Sequence, residues 1–216
     1  GIDPANDLLC LPYSSGTTGR AKGVMLTHRN AVAMLSQLAP LATDVTGRSA
    51  IAVLPFYHAY GMQIQMNGTL HRGTTTVTMP RWDLEQFLAL IQQYRITTLI
   101  LVPPIVLALA KHPRVADFDL SSVEVIGSGA APLGADLQRA ASERVAPVRQ
   151  GYGMTETSVG VSGWAQDGAG MVDGAVGYLL PSVQARIVDV DSGADLVPGA
   201  RGELLVRASA AFPRAR

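Results

Sequence analysis

The chain has 216 residues, and its 17 Lys+Arg balance 17 Asp+Glu, so it carries no basic field for a nucleic acid or an anionic membrane surface. A single cysteine excludes a disulfide framework and favours a reducing, cytoplasmic compartment; the four histidines, His28, His58, His71 and His112, are too dispersed for zinc-ligand spacing. Only 16% of residues are charged, against roughly 25% in ordinary soluble proteins, while 48% are apolar, so part of the surface is suited to being covered.

An apolar run over 8–11 predicts a first strand, with Cys10 as a packing residue. A stretch of small and hydroxyl residues, 14–19, and Lys22 follow, and then a helix capped by Thr27 with Val32, Leu35 and Leu38 on its inner face, stopped by Pro40. The order reads as strand, loop, helix. Next come a buried strand over 49–55, a helix over 61–72 closed by Gly73, and a β-branched strand over 74–79. Asp83 with Gln86 forms a capping pattern ahead of a helix carrying Leu84, Phe87, Leu88 and Ile91, so Asp83 is a cap rather than a ligand.

Strands over 97–102, 123–126 and 148–150 alternate with helices over 104–111 and 135–145. This alternation predicts an α/β fold with a mainly parallel sheet and helices on both faces, whose ligands gather beyond the carboxyl ends of the strands. The longest apolar stretch, 96–110, is broken by Pro103-Pro104 and is too short to cross a bilayer, so no membrane span is expected. Strands over 182–190 and 202–207, joined by turn residues alone, predict an antiparallel hairpin that starts a small β unit. Met25, Met34, Met62, Met66 and Met79 read as core residues, and Trp82 and Trp164 as structural ones.

Four clusters carry chemistry. In Ser14-Ser15-Gly16-Thr17-Thr18-Gly19-Arg20-Ala21-Lys22-Gly23 the glycines permit close backbone approach, the hydroxyls donate hydrogen bonds, and Lys22 adds a mobile positive charge. Such a loop is shaped to wrap a polyphosphate. A plain linker has no need of Lys22, and a P-loop needs Gly-Lys-Ser/Thr, whereas Lys22 lies between Ala21 and Gly23. In Gln150-Gly151-Tyr152-Gly153-Met154-Thr155-Glu156, Tyr152 offers an aromatic face for a base, Thr155 a hydroxyl, and Glu156 a hard oxygen for Mg²⁺. Taken alone, the heptapeptide also reads as a glycine-rich turn around a buried tyrosine. Gly127-Ser128-Gly129-Ala130-Ala131-Pro132 leaves room for a ligand, although such turns are common. Pro55-Phe56-Tyr57-His58-Ala59-Tyr60-Gly61 closes a strand around a lone histidine, a residue more often packed or solvent-facing than functional.

The run 14–23 resembles the phosphate-binding signature of adenylate-forming enzymes: acyl-CoA synthetases, 4-coumarate-CoA ligases, luciferases and peptide-synthetase adenylation domains. Ala21 stands where they usually have proline. The run 150–156 is similar to the adenine and metal motif of that family at a similar distance along the chain. The resemblance covers about residues 8–207 and is nearest to the acyl-CoA synthetase and 4-coumarate-CoA ligase members.

That resemblance implies that Ser14, Ser15, Gly16, Thr17, Thr18, Gly19 and Lys22 hold the phosphates of ATP. It implies that Gly129, Ala130, Ala131, Gly151, Tyr152, Gly153 and Met154 bind adenine and AMP, that Thr155 meets the α-phosphate, and that Glu156 holds Mg²⁺. Tyr57 and His58 would line the acid pocket and gate entry of the thiol, CoA, so Lys22, His58 and Thr155 are the catalytic candidates. Gly129, Gly153, Ser158 and Val159 predict a narrow, mainly apolar slot without buried charge, suited to a hydroxycinnamate or a medium-chain fatty acid rather than an amino acid. No acidic residue occurs from 55 to 81, where amino-acid-selecting adenylation domains usually place an aspartate.

The implied division is 8–50 as the end of a first α/β subdomain, 51–165 as a second with the adenine and acid pockets, and 170–208 as the start of an antiparallel β subdomain. A C-terminal lid domain and an N-terminal part of the same enzyme are expected outside these residues, leaving the chain by itself unable to form acyl-CoA. Two alternatives stand beside an acid-thiol ligase: a peptide-synthetase-type adenylation domain, and a non-catalytic nucleotide-binding module that retains the adenylate pocket.

Overall fold

The computed structural model describes residues 1–14, 21–41, 47–165 and 167–210. Strands β1 (Leu8–Cys10), β2 (Tyr13–Ser14), β3 (Lys22–Gly23) and β4 (Leu26–Thr27) form two nested antiparallel pairs, β1 with β4 and β2 with β3. Lys22 therefore enters a strand paired back on Ser14, and, contrary to expectation, the helix does not follow it directly. Buried Val24 and Leu26 pack against Met62 and hold the returning strand in place. Helix α1 (His28–Leu38) begins only after β4.

Thr27 caps α1 as expected: its hydroxyl accepts from the Asn30 N–H at 3.2 Å while Asn30 Oδ1 accepts from the Thr27 N–H at 3.0 Å. The inner face differs from expectation. Ala31, Met34 and Leu38 are buried, Leu35 is half-buried and Val32 is 62% exposed. The spacing of three and four puts Met34 and Leu38 against Val161, Leu180, Val183 and Ala210, which turns Val32 outward. Met25 is likewise exposed rather than core.

The sheet comprises β5 (Ser49–Ala52), β6 (Thr75–Thr78), β7 (Thr98–Leu101), β8 (Val125–Ser128) and β9 (Val148–Gln150) in the order β6-β5-β7-β8-β9, every pair parallel. Its connections are a π-helical stretch, Gly61–Asn67, running into α2 (Gly68–Arg72), then α3 (Leu84–Tyr94), α4 (Pro103–Lys111) and α5 (Ala135–Arg144). From β5 the chain steps one way to β6, and afterwards always the other way. Right-handed crossovers then put the 61–72 helix on one face and α3, α4 and α5 on the opposite one.

Side chains follow that division. Phe87, Leu88, Ile91, Val106, Leu109 and Ala141 pack with Ile51, Leu99, Leu101, Ile126 and Val148 in the main core. Fully burying each large apolar side chain contributes about 1.5–3 kcal/mol. The alternate strand positions, Ala50, Thr98, Ile100, Val125 and Gly127, face a cavity that Ile64 and Thr69 of the first crossover also line.

Local signals hold where they are strongest. Asp83 accepts from the Gln86 N–H at 2.8 Å, and Trp82 packs on Phe87 at a tilt of 58° with ring centroids 4.8 Å apart. Gly73 closes α2 in the left-handed conformation. Beyond the sheet, β10 (Ser162–Gly163) pairs antiparallel with β11 (Tyr178–Leu179), and β12 (Val183–Val188) with β13 (Glu203–Ala208) as the expected hairpin. Among the described residues, no helix is long and apolar enough to cross a membrane.

Candidate active site

A cavity of about 1000 Å³ opens at the carboxyl ends of the sheet strands and continues down the face that α3, α4 and α5 leave free. At its upper end stand Ser14, Lys22, Tyr152, Thr155 and Glu156. Ser14 and Lys22 are cross-strand partners at the mouth of the hairpin. The Ser14 hydroxyl donates to Glu156 Oε1 at 2.9 Å, joining positions 142 residues apart. Ser15, Gly16, Thr17, Thr18 and Gly19 lie outside the described residues.

The segment after β9 closes tightly on itself. Tyr152 and Ser162 exchange backbone hydrogen bonds of 3.2 and 3.0 Å, and Thr155–Thr157 forms a single 3₁₀ turn that presents Thr155 and Glu156 to the cavity. The reversal forces Ser158 to φ 57° and Val159 to φ 124°, values costly for residues with a Cβ. A side chain at Gly153 would place its Cβ 1.4 Å from the Val159 carbonyl oxygen, so only glycine fits there. Gly151, Gly153, Met154 and Val159 are in the wall, and Tyr152 stays 40% exposed with its ring available.

One buried amide network ties Leu133, just after the 127–132 turn, and α5 to the strand that leads into this segment. The Gln150 amide accepts from the Leu133 N–H and donates to the Leu133 carbonyl, both at 2.9 Å, and donates to Gln138 Oε1 at 2.8 Å. Gln138 in turn donates to the Val148 carbonyl and accepts from the Gly174 N–H, each at 2.9 Å. Neither glutamine bears a role that spacing alone could have signalled; their satisfied burial on α5 and β9 is what reveals them.

Gly129 and Ala130 line the cavity, Ala130 at φ 69°. A Cβ on Gly129 would lie 3.1 Å from the Tyr60 ring. Tyr60, a residue the sequence reading left without a role, donates its hydroxyl to the Leu101 carbonyl at 3.3 Å, and burial pushes its phenol well above the ordinary range. His58 Nδ1 accepts from the Tyr60 N–H at 3.1 Å, which assigns the proton of the neutral ring to Nε2. His58 is in the wall. The structure does not bring Tyr57, Ala131 or Ser158 into it. Tyr57 is 84% exposed, Ala131 is exposed, and Ser158 is buried and donates to the Ala210 carbonyl at 2.8 Å.

The lower part of the cavity departs from the expected apolar slot, because Arg48, Arg72 and Arg149 stand in its wall. Register explains Arg149: it pairs with Gly127, and the two share the cavity face of the sheet. Among the described residues no three His, Cys, Asp or Glu side chains converge as a metal cage. A single carboxylate is nevertheless a donor that suits Mg²⁺ carried chiefly by substrate phosphates. Glu156 fits that requirement.

Comparison with known proteins agrees with this geometry. Residues 2–214 match the family model described as AMP-binding enzyme. The chain is 39% identical over 216 residues to 4-coumarate-CoA ligase 1 of Petroselinum crispum, covering 94% of this chain and 39% of that ligase. It is 38% identical to 4-coumarate-CoA ligase of Pinus taeda, with the same coverage. The fold superimposes on ATP-bound MatB from Rhodopseudomonas palustris with a TM-score of 0.86 at 34% identity, over 97% of this chain and 41% of that one. A long-chain-fatty-acid-CoA ligase from Archaeoglobus fulgidus gives a TM-score of 0.86 at 26% identity, over 98% and 44%. The chain thus spans 39% of the length of these curated relatives.

Proposed function

Because this chain belongs to the AMP-binding enzyme family, we propose that it is the nucleotide- and acid-binding portion of a longer acid-thiol ligase that uses ATP to activate a carboxylic acid and transfers the acyl group to CoA. In the first step a carboxylate oxygen attacks the α-phosphorus and pyrophosphate leaves with the bonding electrons of the broken P–O bond. In the second, the sulfur of CoA attacks the acyl carbon of the adenylate and AMP departs.

The observation that carries this reading is the Ser14–Glu156 hydrogen bond, which holds the two nucleotide motifs against one another. Lys22 at the hairpin mouth offsets phosphate charge as it shifts toward the leaving pyrophosphate, and Thr155 donates to the α-phosphate. Tyr152 supplies a stacking face for adenine. Glu156 would hold Mg²⁺, whose contribution when bound is to neutralise phosphate oxygens. His58, its proton assigned to Nε2, donates toward the acid carboxylate and swings aside for the thiol. No covalent enzyme intermediate is needed.

The acid class follows from the wall. Arginines and the lack of any acidic residue from 55 to 81 disfavour the ammonium group of an amino acid, and leave aryl and fatty acids as the substrates. We place the divisions at 8–50, 51–165 and 170–208 and the enzyme in the cytoplasm. Hydroxylamine trapping of the acyl-adenylate tests the reading: the intact protein with ATP should yield hydroxamate from at least one acid of an aryl and fatty panel. Hydroxamate from amino acids alone, or none at all, contradicts it.

A further inference from the structure

From β5 the chain passes to β6 on one side and then to β7 on the other, so the crossovers that leave β5 and β7 lie on opposite faces of the sheet. In sheets of this kind a crevice opens between the carboxyl ends of two such strands, and ligands gather there. β5 and β7 pair at two positions, Ala50 with Thr98 and Ile51 with Leu99, and then part. On its other side β5 stays paired beyond that point, where the Met79 N–H donates to the Ala52 carbonyl at 3.0 Å. The parting belongs to the β5–β7 side.

Gln65 fills the gap. It belongs to the π-helical stretch Gly61–Asn67, a form that is rare and frequent at functional sites, and it is 2% exposed. Its Oε1 accepts from the Leu54 N–H, just beyond β5, at 2.9 Å. Its Nε2 donates to the Ile100 carbonyl of β7 at 2.7 Å and to the Ile51 carbonyl of β5 at 3.5 Å. A side-chain amide thus takes the place that a peptide group would hold had the ladder continued. Its oxygen and its nitrogen are both engaged, as a buried amide requires.

Leu54 leads directly into the turn that carries His58. The Pro55 carbonyl accepts from the His58 N–H at 3.1 Å, and the His58 carbonyl accepts from the Met62 N–H at 2.9 Å, so one tight turn joins the residue that Gln65 holds to the histidine in the cavity wall. Gly61 lies flush on that turn, since a Cβ there would come 2.2 Å from the Pro55 carbonyl oxygen. Resting on the adenylation reading and on the donor role of His58 within it, we propose that Gln65 is a positioning residue for the acid end of the site. Its amide holds the β5–β7 crevice at one width and so sets where His58 meets the carboxylate. Gln65 acts from behind the wall, to which its neighbour Ile64 contributes and it does not.

The test is acid-dependent ATP–pyrophosphate exchange in the intact protein. Gln65→Leu, which removes the amide at similar volume, should raise KM for the acid on the order of 10- to 100-fold, as a misplaced reacting group does, while KM for ATP stays within about 2-fold of the wild type. A loss of folded protein alone would lower the maximal rate and leave both KM values in place. Gln65→Glu gives a second reading and serves if the leucine variant does not fold. A protonated carboxyl can accept from Leu54 and donate to Ile100, whereas a carboxylate cannot donate, so acid KM in this variant should climb between about pH 6 and pH 9 more steeply than in the wild type. In a His58→Ala background Gln65→Leu should move acid KM by less than about 2-fold, because the group it positions is gone. An acid KM that Gln65→Leu leaves unmoved, a Gln65→Glu profile parallel to the wild type, or an equal rise with and without His58 overturns the positioning role while leaving adenylation intact. No exchange by the wild type with any acid removes the adenylation reading, and this proposal with it.

Discussion

The Ser14 hydroxyl lies 2.9 Å from Glu156 Oε1, so the residue at the head of the proposed phosphate loop also orients the carboxylate proposed to hold Mg²⁺. Ser14 is buried, which gives that bond a defined geometry. Ser14→Ala should leave the fold intact, costing about 0.5–1.5 kcal/mol, the ordinary net value of one hydrogen bond. Activity should suffer more. The concentration of Mg²⁺ that half-saturates ATP–pyrophosphate exchange should rise in the variant, and an unchanged Mg²⁺ dependence would show that Glu156 is oriented by something else.

Gly153 is a second point of strict dependence, since a Cβ there would overlap the Val159 carbonyl. Gly153→Ala must spread the turn, and overpacking of that kind costs about 1–3 kcal/mol. A lower urea midpoint with an unaltered slope is the expected result. Equal midpoints for variant and wild type would mean that the turn has a relaxed alternative.

Much of this architecture could be read from the residues. Asp83 before a 3.6-residue apolar period, Thr27 before α1 and the β-branched runs of the sheet are local signals, and local physics decides them. The pairing of β2 with β3 is not legible in the sequence because it accompanies the packing of Val24 and Leu26 on Met62, a contact far away in sequence. The inner face of α1 was misjudged for the same reason: Met34 and Leu38 are selected by the 161–183 and 210 region. In the site, glycine-rich motifs announced themselves. Arg72, Arg149 and Gln138 did not, because an isolated arginine or glutamine carries no motif, and only the fold brings them to the cavity or to its supports; Tyr60 stood within the 55–61 cluster without a role of its own.

Gly129 faces the Tyr60 ring, so a larger side chain there must displace Tyr60 or fill the cavity between them. Gly129→Leu is expected to raise KM in proportion to the bulk of the acid, with acetate least affected. kcat/KM across an acid series measures this. A uniform loss for all acids would place Gly129 against the nucleotide alone.

Tyr60 also gives the protein an alkaline signature. Its phenol ionises far later in the folded chain than the ordinary value near 10, because burial penalises the phenolate. The sign is set by the unfolded state, which loses its proton first; stability is fully present below pH of about 10 and falls as pH rises above it. Tyr60→Phe removes that term. Urea midpoints at pH 8 and pH 11 should fall less in the variant than in the wild type, and equal falls would mean that Tyr60 reaches water.

In the proposed reaction Lys22 and Glu156 face the charge that moves during adenylation, and acid-dependent ATP–pyrophosphate exchange in the intact protein reports on that step. Lys22→Ala and Glu156→Gln should each reduce the maximal exchange rate by on the order of 10²-fold or more, as loss of one preorganised charge contact at a reacting phosphate does, while the KM for the acid stays close to that of the wild type. Exchange at the wild-type rate in either variant would contradict the account, for the two residues that define the nucleotide end of the cavity would then take no part in the chemistry.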